Sequence, residues 1–499
     1  MIRITVRTGS TSSRVVSQFK LDPNYRLKCG LEIHTQLQTK YKLFSLSKSD
    51  FFGKPNSNVS YFDCGLPGTQ PKLNPEALLL ALKTAVALNC HIEPISTFDR
   101  KHYFYPDQPL GYQITQHYHP IATGGYLELN KFDNLPGEKI INIEQIQIEQ
   151  DTGRTNYDKF DNSINIDLNR SNTPLIELVT KPDFENLLQV HAFVKKYQTL
   201  VRYLGICTGD LENGAIRVDV NLSINDNSRV EIKNLNSTSE IQEAIKYEYR
   251  RQINHLQTKQ LIIQETRGWN GLETVSLRKK ENTVDYRYFP DSELPKIVLD
   301  ENIKKDIEAI LPVLPDKLLE SLTSAPYLLE LKYAKFLVDH KLNLEYYYKL
   351  FSLVGGKANN WFFHELLGAF SKLDTIIDLN LITPVKVAEL IEKIQDNSLS
   401  LTSARLILHQ IIQNPELADT PITTLIDEYD LAKPEISQED LNTAIEEICK
   451  NIVEQNPDVV KKIKKGNKNS VKYLVGLAMK ETQGKVNARD FTEKFKEII

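Results

Sequence analysis

Two side chains with metal-binding chemistry stand two residues apart in the run Lys28-Cys29-Gly30-Leu31-Glu32-Ile33-His34-Thr35-Gln36-Leu37. The alternation predicts a strand with Leu31, Ile33 and Leu37 on an apolar face and Glu32, His34 and Gln36 on a polar one. A carboxylate and an imidazole so spaced lie about 6 to 7 Å apart on one side of a strand, close enough to ligate one ion. An ordinary half-exposed strand shows the same pattern, so its weight depends on what accompanies it downstream.

Three further segments add to it. In Gln147-Ile148-Glu149-Gln150-Asp151, the isoleucines 146 and 148 set the phase, and Gln147, Glu149 and Asp151 share the opposite face. Glu177 sits inside the apolar run Pro174-Leu175-Ile176-Glu177-Leu178-Val179, where a buried carboxylate requires a partner or an ion. Arg217, Asp219, Asn221 and Ser223 alternate with Val218, Val220 and Leu222, although a sheet with one apolar face gives that pattern without any chemistry. Lys233, Asn234, Arg267 and Arg287, the last among Tyr286, Tyr288 and Phe289, supply groups suited to phosphate, ribose and base contacts.

The chain lacks a GxxxxGK[ST] phosphate loop, a GxGxxG fingerprint and a GxSxG elbow. If it uses ATP, carboxylate-bound metal on a sheet must hold the phosphates. Oxygen donors with few sulfurs favour magnesium, while His34 leaves manganese or zinc open.

The elements that must position these groups fall into a mixed first part and a helical second part. From Leu27 to about Leu299, short alternating runs broken by Gly, Pro, Asn and Asp predict a largely antiparallel sheet. Helices are expected from Pro75 after an Asn74 cap, around Phe184 to Leu204, and from Ser237 with Glu240 completing a capping box. After Pro295 the periodicity turns helical, and Pro415, Pro421 and Pro434 mark a linker. A last helix over residues 469–482 places Val471, Leu474, Val475, Ala478 and Met479 on one face, behind Lys461, Lys462, Lys464, Lys465 and Lys468.

With 61 basic and 65 acidic residues among 499 and a net charge of -4, nucleic-acid contact must be regional. Five scattered cysteines form neither a disulfide framework nor a zinc knuckle, and no apolar run is long enough to span a membrane. Residues 1–24 carry Arg3, Arg7, Arg14 and Lys20 among Ser and Thr with no acid before Asp22, the composition of a mitochondrial transit segment.

In sequence order, Gly30-Leu31-Glu32-Ile33-His34-Thr35-Gln36-Leu37, Leu66-Pro67-Gly68, Asp99-Arg100-Lys101-His102-Tyr103-Phe104-Tyr105-Pro106-Asp107, Asp167-Leu168-Asn169-Arg170, Pro174-Leu175-Ile176-Glu177, Lys233-Asn234-Leu235-Asn236-Ser237, Gln264-Glu265-Thr266-Arg267-Gly268-Trp269 and Asp285-Tyr286-Arg287-Tyr288-Phe289-Pro290 resemble the B-subunit family of glutamyl-tRNA(Gln) amidotransferases. The match is dense over residues 26–299 and looser at Tyr473-Leu474-Val475-Gly476 and Gly484-Lys485-Val486-Asn487, which resemble the family's C-terminal tRNA-binding domain.

The resemblance implies an α+β fold. It comprises a glutamine-synthetase-like cradle with a largely antiparallel sheet over residues 25–300, an all-α connector over 301–424 and a small all-α tail over 425–499. It also implies a reaction: ATP-dependent phosphorylation of the glutamate side chain on misacylated Glu-tRNA(Gln), then displacement of phosphate by ammonia from a partner glutaminase subunit. The partners implied are that glutaminase, a small third subunit and the tRNA, with ATP and Mg2+ as cofactors and the mitochondrial matrix as the location.

Carried over, the family's catalytic and metal cluster falls on Glu32, His34, Glu149 and Glu177, with Arg217, Asp219, Lys233, Asn234, Arg267 and Arg287 as ATP or tRNA contacts. The family commonly has a second acid directly after the one matching Glu149, where this chain has Gln150. That departure keeps open a non-catalytic tRNA-binding scaffold of the same complex; amidation of Asp-tRNA(Asn) is a further alternative.

Overall fold

The computed structural model describes residues 19–50, 53–158, 160–279, 286–432, 438–464, 469–482, 486 and 488–499. Residues 1–18 of the expected transit segment, and Lys465, Lys468, Gly484, Lys485 and Asn487 of the tail motifs, lie outside them. The chain divides into two compact units, with the cut between Glu320 and Ser321.

The first unit is built on a ten-stranded sheet. At its centre lie β1 (Leu27–Gln36), β2 (Lys139–Gln150), β3 (Pro174–Thr180), β4 (Ile216–Ile224) and β5 (Val230–Lys233), in the spatial order β5-β4-β1-β3-β2. All four pairings among them are antiparallel. Beyond β5, the strand Glu265–Trp269 pairs in parallel and Thr274–Lys279 closes that edge.

Parity fixes the orientation of this sheet. Cys29, Leu31 and Ile33 are fully buried, in one core with Ile146 and Ile148 of β2, Ile176 and Leu178 of β3, and Val218, Val220 and Leu222 of β4. Burial of each large aliphatic chain contributes about 1.5–3 kcal/mol. A slip of one residue would turn Leu31 and Ile33 to the polar side and Glu32 and His34 into the core, so the register is strongly specified.

The apolar face is covered by helices α1 (Pro75–Ala87), α2 (Leu187–Tyr203) and α3 (Thr238–Gln257), whose buried stripes join the same core. Each helix begins where a side chain satisfies an orphan amide: Asn74 Oδ1 accepts from Glu76 N at 2.9 Å, Asn186 Oδ1 from Gln189 N at 3.0 Å and Ser237 Oγ from Glu240 N at 3.1 Å. Ser237→Ala is expected to cost about 1 kcal/mol of stability, read as a lower urea midpoint at unchanged slope. An unmoved midpoint would mean that water caps the helix equally well.

Helix α4 (Ile303–Ile310) also belongs to the first unit, because Ile307 is buried in its core. The second unit is helical. Among its residues Tyr347 is fully buried beside Phe362, with ring centroids 5.8 Å apart. The helices Gln438–Gln455, Asn469–Glu481 and Ala488–Ile498 share a small core of Ile445, Cys449, Ile452, Leu474, Ala478, Phe491 and Phe495. Val471, Val475 and Met479 pack against it, as their spacing predicts. Among the described residues, no helix is long and apolar enough to cross a membrane.

Candidate functional site

The polar face of the five central strands gathers the acids that the sequence singled out. His34 lies opposite Glu177 of β3 on one side and Arg217 of β4 on the other; Glu32 lies opposite Asp219. Glu149 reaches the same face from β2, opposite Leu175. These neighbours divide the expected four-residue cluster into two.

In the first cluster, ligand atoms of His34, Glu149 and Glu177 all lie within 4.8 Å of one another. Glu149 is 3% exposed. It accepts hydrogen bonds from Gln113 Nε2 and, at 3.0 Å, from Thr115 Oγ1. Glu177 accepts from Gln147 Nε2, and its second oxygen stands 4.0 Å from His34 Nε2. Burial, aided by the cations Arg217, Lys233 and Lys101, holds the His34 imidazole well below its usual range. The ring is therefore neutral and offers a lone pair rather than an ion pair to Glu177. Burial and the neighbouring Glu149 push the Glu177 carboxyl up to about 8. A like charge beside a buried carboxyl disfavours its ionised form, and a bound cation would reverse that.

The second cluster is Glu32, Asp219 and Glu231, again with ligand atoms within 4.8 Å. Lys233 Nζ bridges Asp219 at 2.8 Å and Glu231 at 2.9 Å. Asn221 Nδ2 donates to Glu32 Oε1 at 2.7 Å, and Thr266 Oγ1 to Glu231 at 2.8 Å. Burial raises both Glu32 and Asp219, whereas at Glu231 the adjacent Lys233 ammonium outweighs burial and lowers the carboxyl. Hard oxygen donors in both clusters, joined by one imidazole, suit magnesium or manganese.

Beside them opens a cleft of about 370 Å³ lined by Arg154, Arg170 and Arg217 with Gln36, Asn213 and Gly214. Arg217 reaches Asp151 at 3.0 Å. Arg170 Nη2 donates to Gly153 O at 2.7 Å. The Arg170 and Arg217 guanidiniums are thus aimed by fixed partners before any ligand enters.

Not every expected residue comes to this face. Arg267 pairs in register with Ile232, a core position, and lies on the helix side. It is 2.7 Å from Glu265 and 3.6 Å from Glu248 of α3, which is fully buried. This is a brace between α3 and the edge strands, distinct from the polar face. Asn234 is exposed just past β5 with φ 67°, and Arg287 is exposed on a rim segment with φ 42°. Gln150 follows the parity of Ile146 and Ile148 and is 1% exposed, so its side chain turns away from Glu149 and takes no place in either cluster.

Two groups escaped the sequence reading. Glu231 alternates with Val230 and Ile232 on a strand of only four residues. Lys101 lies in Asp99–His102, where consecutive polar residues give no phase. Its ammonium, though disfavoured by burial, is held charged by Glu149, Tyr288 and Glu177.

The comparisons with known proteins identify the family. A family model described as the GatB/GatE catalytic domain matches residues 27–305, and a GatB domain model matches residues 349–499. Proteins named as the mitochondrial B subunit of glutamyl-tRNA(Gln) amidotransferase are 63% identical in Scheffersomyces stipitis and 60% in Debaryomyces hansenii, each aligned over 99% of both chains. The Candida albicans protein of that name is 58% identical over 97% of this chain and 98% of its own. The chain belongs to the GatB/GatE family, its catalytic domain carrying the two acid clusters and its GatB domain the helical tail.

Proposed function

We propose that this chain is the kinase and transamidation subunit of a mitochondrial glutamyl-tRNA(Gln) amidotransferase, acting with a glutaminase subunit and a small third subunit. The observation that carries the reading is the pair of acid clusters on one sheet face beside an arginine-lined cleft. A glutamate side-chain carboxylate is a poor acyl donor to ammonia. Transfer of the terminal phosphoryl group of ATP to it gives an acyl phosphate and ADP, and ammonia then displaces phosphate to leave the amide.

His34, Glu149 and Glu177 form one cation site, and Glu32, Asp219 and Glu231 another. Magnesium bound there would neutralise charge on the phosphates and on the attacking carboxylate. Arg154, Arg170 and Arg217 hold the polyphosphate, with the partners of Arg170 and Arg217 limiting the motion that binding must remove. Lys101 keeps an ammonium against the first cluster and balances part of the charge of Glu149 and Glu177 when the substrate carboxylate arrives. Lys233 does the same for the second. The lysine-bearing tail contacts tRNA phosphates, a salt-sensitive contribution. The scaffold alternative rested on Gln150, which faces away from the clusters.

The test is ATP-dependent conversion of Glu-tRNA(Gln) by the purified complex with free ammonia as donor. Glu32→Ala and Glu149→Ala are expected to lose conversion while tRNA binding persists. Undiminished conversion in both would move the phosphorylation site off this chain, and turnover of Asp-tRNA(Asn) alone would reassign the substrate.

A further inference from the structure

Next to the first cluster stands more aromatic surface than the chemistry above uses. The strand Asp99–His102 pairs with Tyr112–Thr115 on one side and Phe289–Pro290 on the other in a small antiparallel sheet. Its connections carry a run of rings. Tyr286 lies under Lys101 Nζ, 4.9 Å from ring centroid to nitrogen. Tyr288 follows at 6.0 Å from Tyr286. His117 stacks on Tyr288 with centroids 3.9 Å and planes 8° apart, and Tyr118 meets Tyr288 edge-on at 6.4 Å. The inner end of this ladder is Lys101, in the field of Glu149 and Glu177. Its outer end is Tyr118, 55% exposed, and His117 is exposed as well.

The rings are held rather than loose. Tyr118 N donates to Asp99 Oδ2 at 2.9 Å, and Asp99 is 1% exposed. His102 N donates to Tyr286 O at 2.9 Å, which ties the segment carrying Tyr286 and Tyr288 to the small sheet.

We propose that the ladder Tyr286, Tyr288, His117 and Tyr118 stacks the unpaired 3′-terminal bases of the aminoacyl-tRNA and so delivers the esterified glutamate to the first cluster. The inference rests on the proposed function. The glutamyl group is joined to the terminal ribose, so a side-chain carboxylate at Glu149 and Glu177 leaves the last nucleotides only one aminoacyl group away. Pre-set rings interleaved with Lys101, His102 and His117 match a flexible polyanion whose bases present π-faces. The core of a protein–protein interface also favours tyrosine but is depleted of lysine, whereas this ladder ends on the Lys101 ammonium.

Stacking contributes about 1–3 kcal/mol per base, so losing the outermost ring should weaken substrate capture about tenfold. The experiment uses the whole complex and Glu-tRNA(Gln) carrying 2-aminopurine in place of one 3′-terminal base, whose fluorescence falls when it stacks. Wild type is expected to quench on binding. Tyr118→Leu, which keeps apolar bulk without a π-face, is expected to lose most of the quench and raise KM for the tRNA about tenfold with little change in kcat. Tyr118→Phe should restore both. Unchanged quench and KM in Tyr118→Leu overturn the proposal. Dissociation of the complex by that variant also overturns it, making the ladder a subunit contact. Quenching is read on binding alone, so a wild-type complex that quenches without amidating refutes the proposed reaction and still supports the stacking.

Discussion

Glu177→Gln is expected to slow amidation of Glu-tRNA(Gln) by the complex about 10³-fold, with tRNA affinity unchanged within about twofold. The substitution keeps the shape and the contact with Gln147 but removes one charge from a three-ligand site. Cation-assisted charge neutralisation is needed most as charge develops on the transferring phosphoryl group, so the loss falls on kcat rather than on binding. Single-turnover formation of ADP separates this step from ammonia transfer. Full ADP formation with no amide would place Glu177 in the second half-reaction instead, and wild-type rates for both would remove it from the site.

The second large effect is on stability as pH changes in the absence of divalent ions. Glu177 rises from 4.5 to about 8 in the fold, chiefly through burial and then through Glu149. A carboxyl raised in the folded state favours its protonated form there. Its contribution is fully present below about pH 4.5 and is lost as pH climbs through about 8. At about 1.4 kcal/mol per tenfold change in proton affinity, the loss is on the order of 5 kcal/mol. Glu32 and Asp219, also raised by burial, act in the same direction.

In EDTA, the wild-type chain is therefore expected to lose more stability between pH 5 and 8 than Glu177→Gln does, and millimolar magnesium should close the gap. Thermal melts of both proteins across that range provide the check. Parallel curves in EDTA would mean that the Glu149 and Glu177 charges are already relieved by Lys101.

The functional face was legible wherever a polar residue interrupted a clean apolar alternation. Glu32, Glu177, Arg217 and Asp219 each stand between fully or nearly fully buried aliphatic residues, His34 stands between the buried Ile33 and Thr35, and parity alone orients them. Glu149 was legible for the same reason, and so in principle was the irrelevance of Gln150, which shares the phase of Ile146 and Ile148. Strand order was not legible. That β1 lies between β3 and β4 depends on long-range pairing, and that order assigns Glu32 to Asp219 and His34 to Glu177 rather than both to one ion. Arg267 misled because Glu265, Thr266 and Arg267 are consecutive polar residues without a phase. Its direction comes from the parallel pairing with β5, which only the tertiary structure supplies.

The parity of β1 couples hydrophobic folding to the placement of both acid clusters. Leu31 and Ile33 are anchored by the same two-residue repeat that presents Glu32 and His34. An insertion or deletion of a single residue inside this strand puts the residues on its two sides out of phase, so the core and the polar face survive together only if the break falls outside the strand. Length variation among relatives should therefore collect in the turns on either side of Leu27–Gln36, with the spacing from Leu31 to His34 invariant. A chain misregistered here therefore loses its core and both acid clusters together.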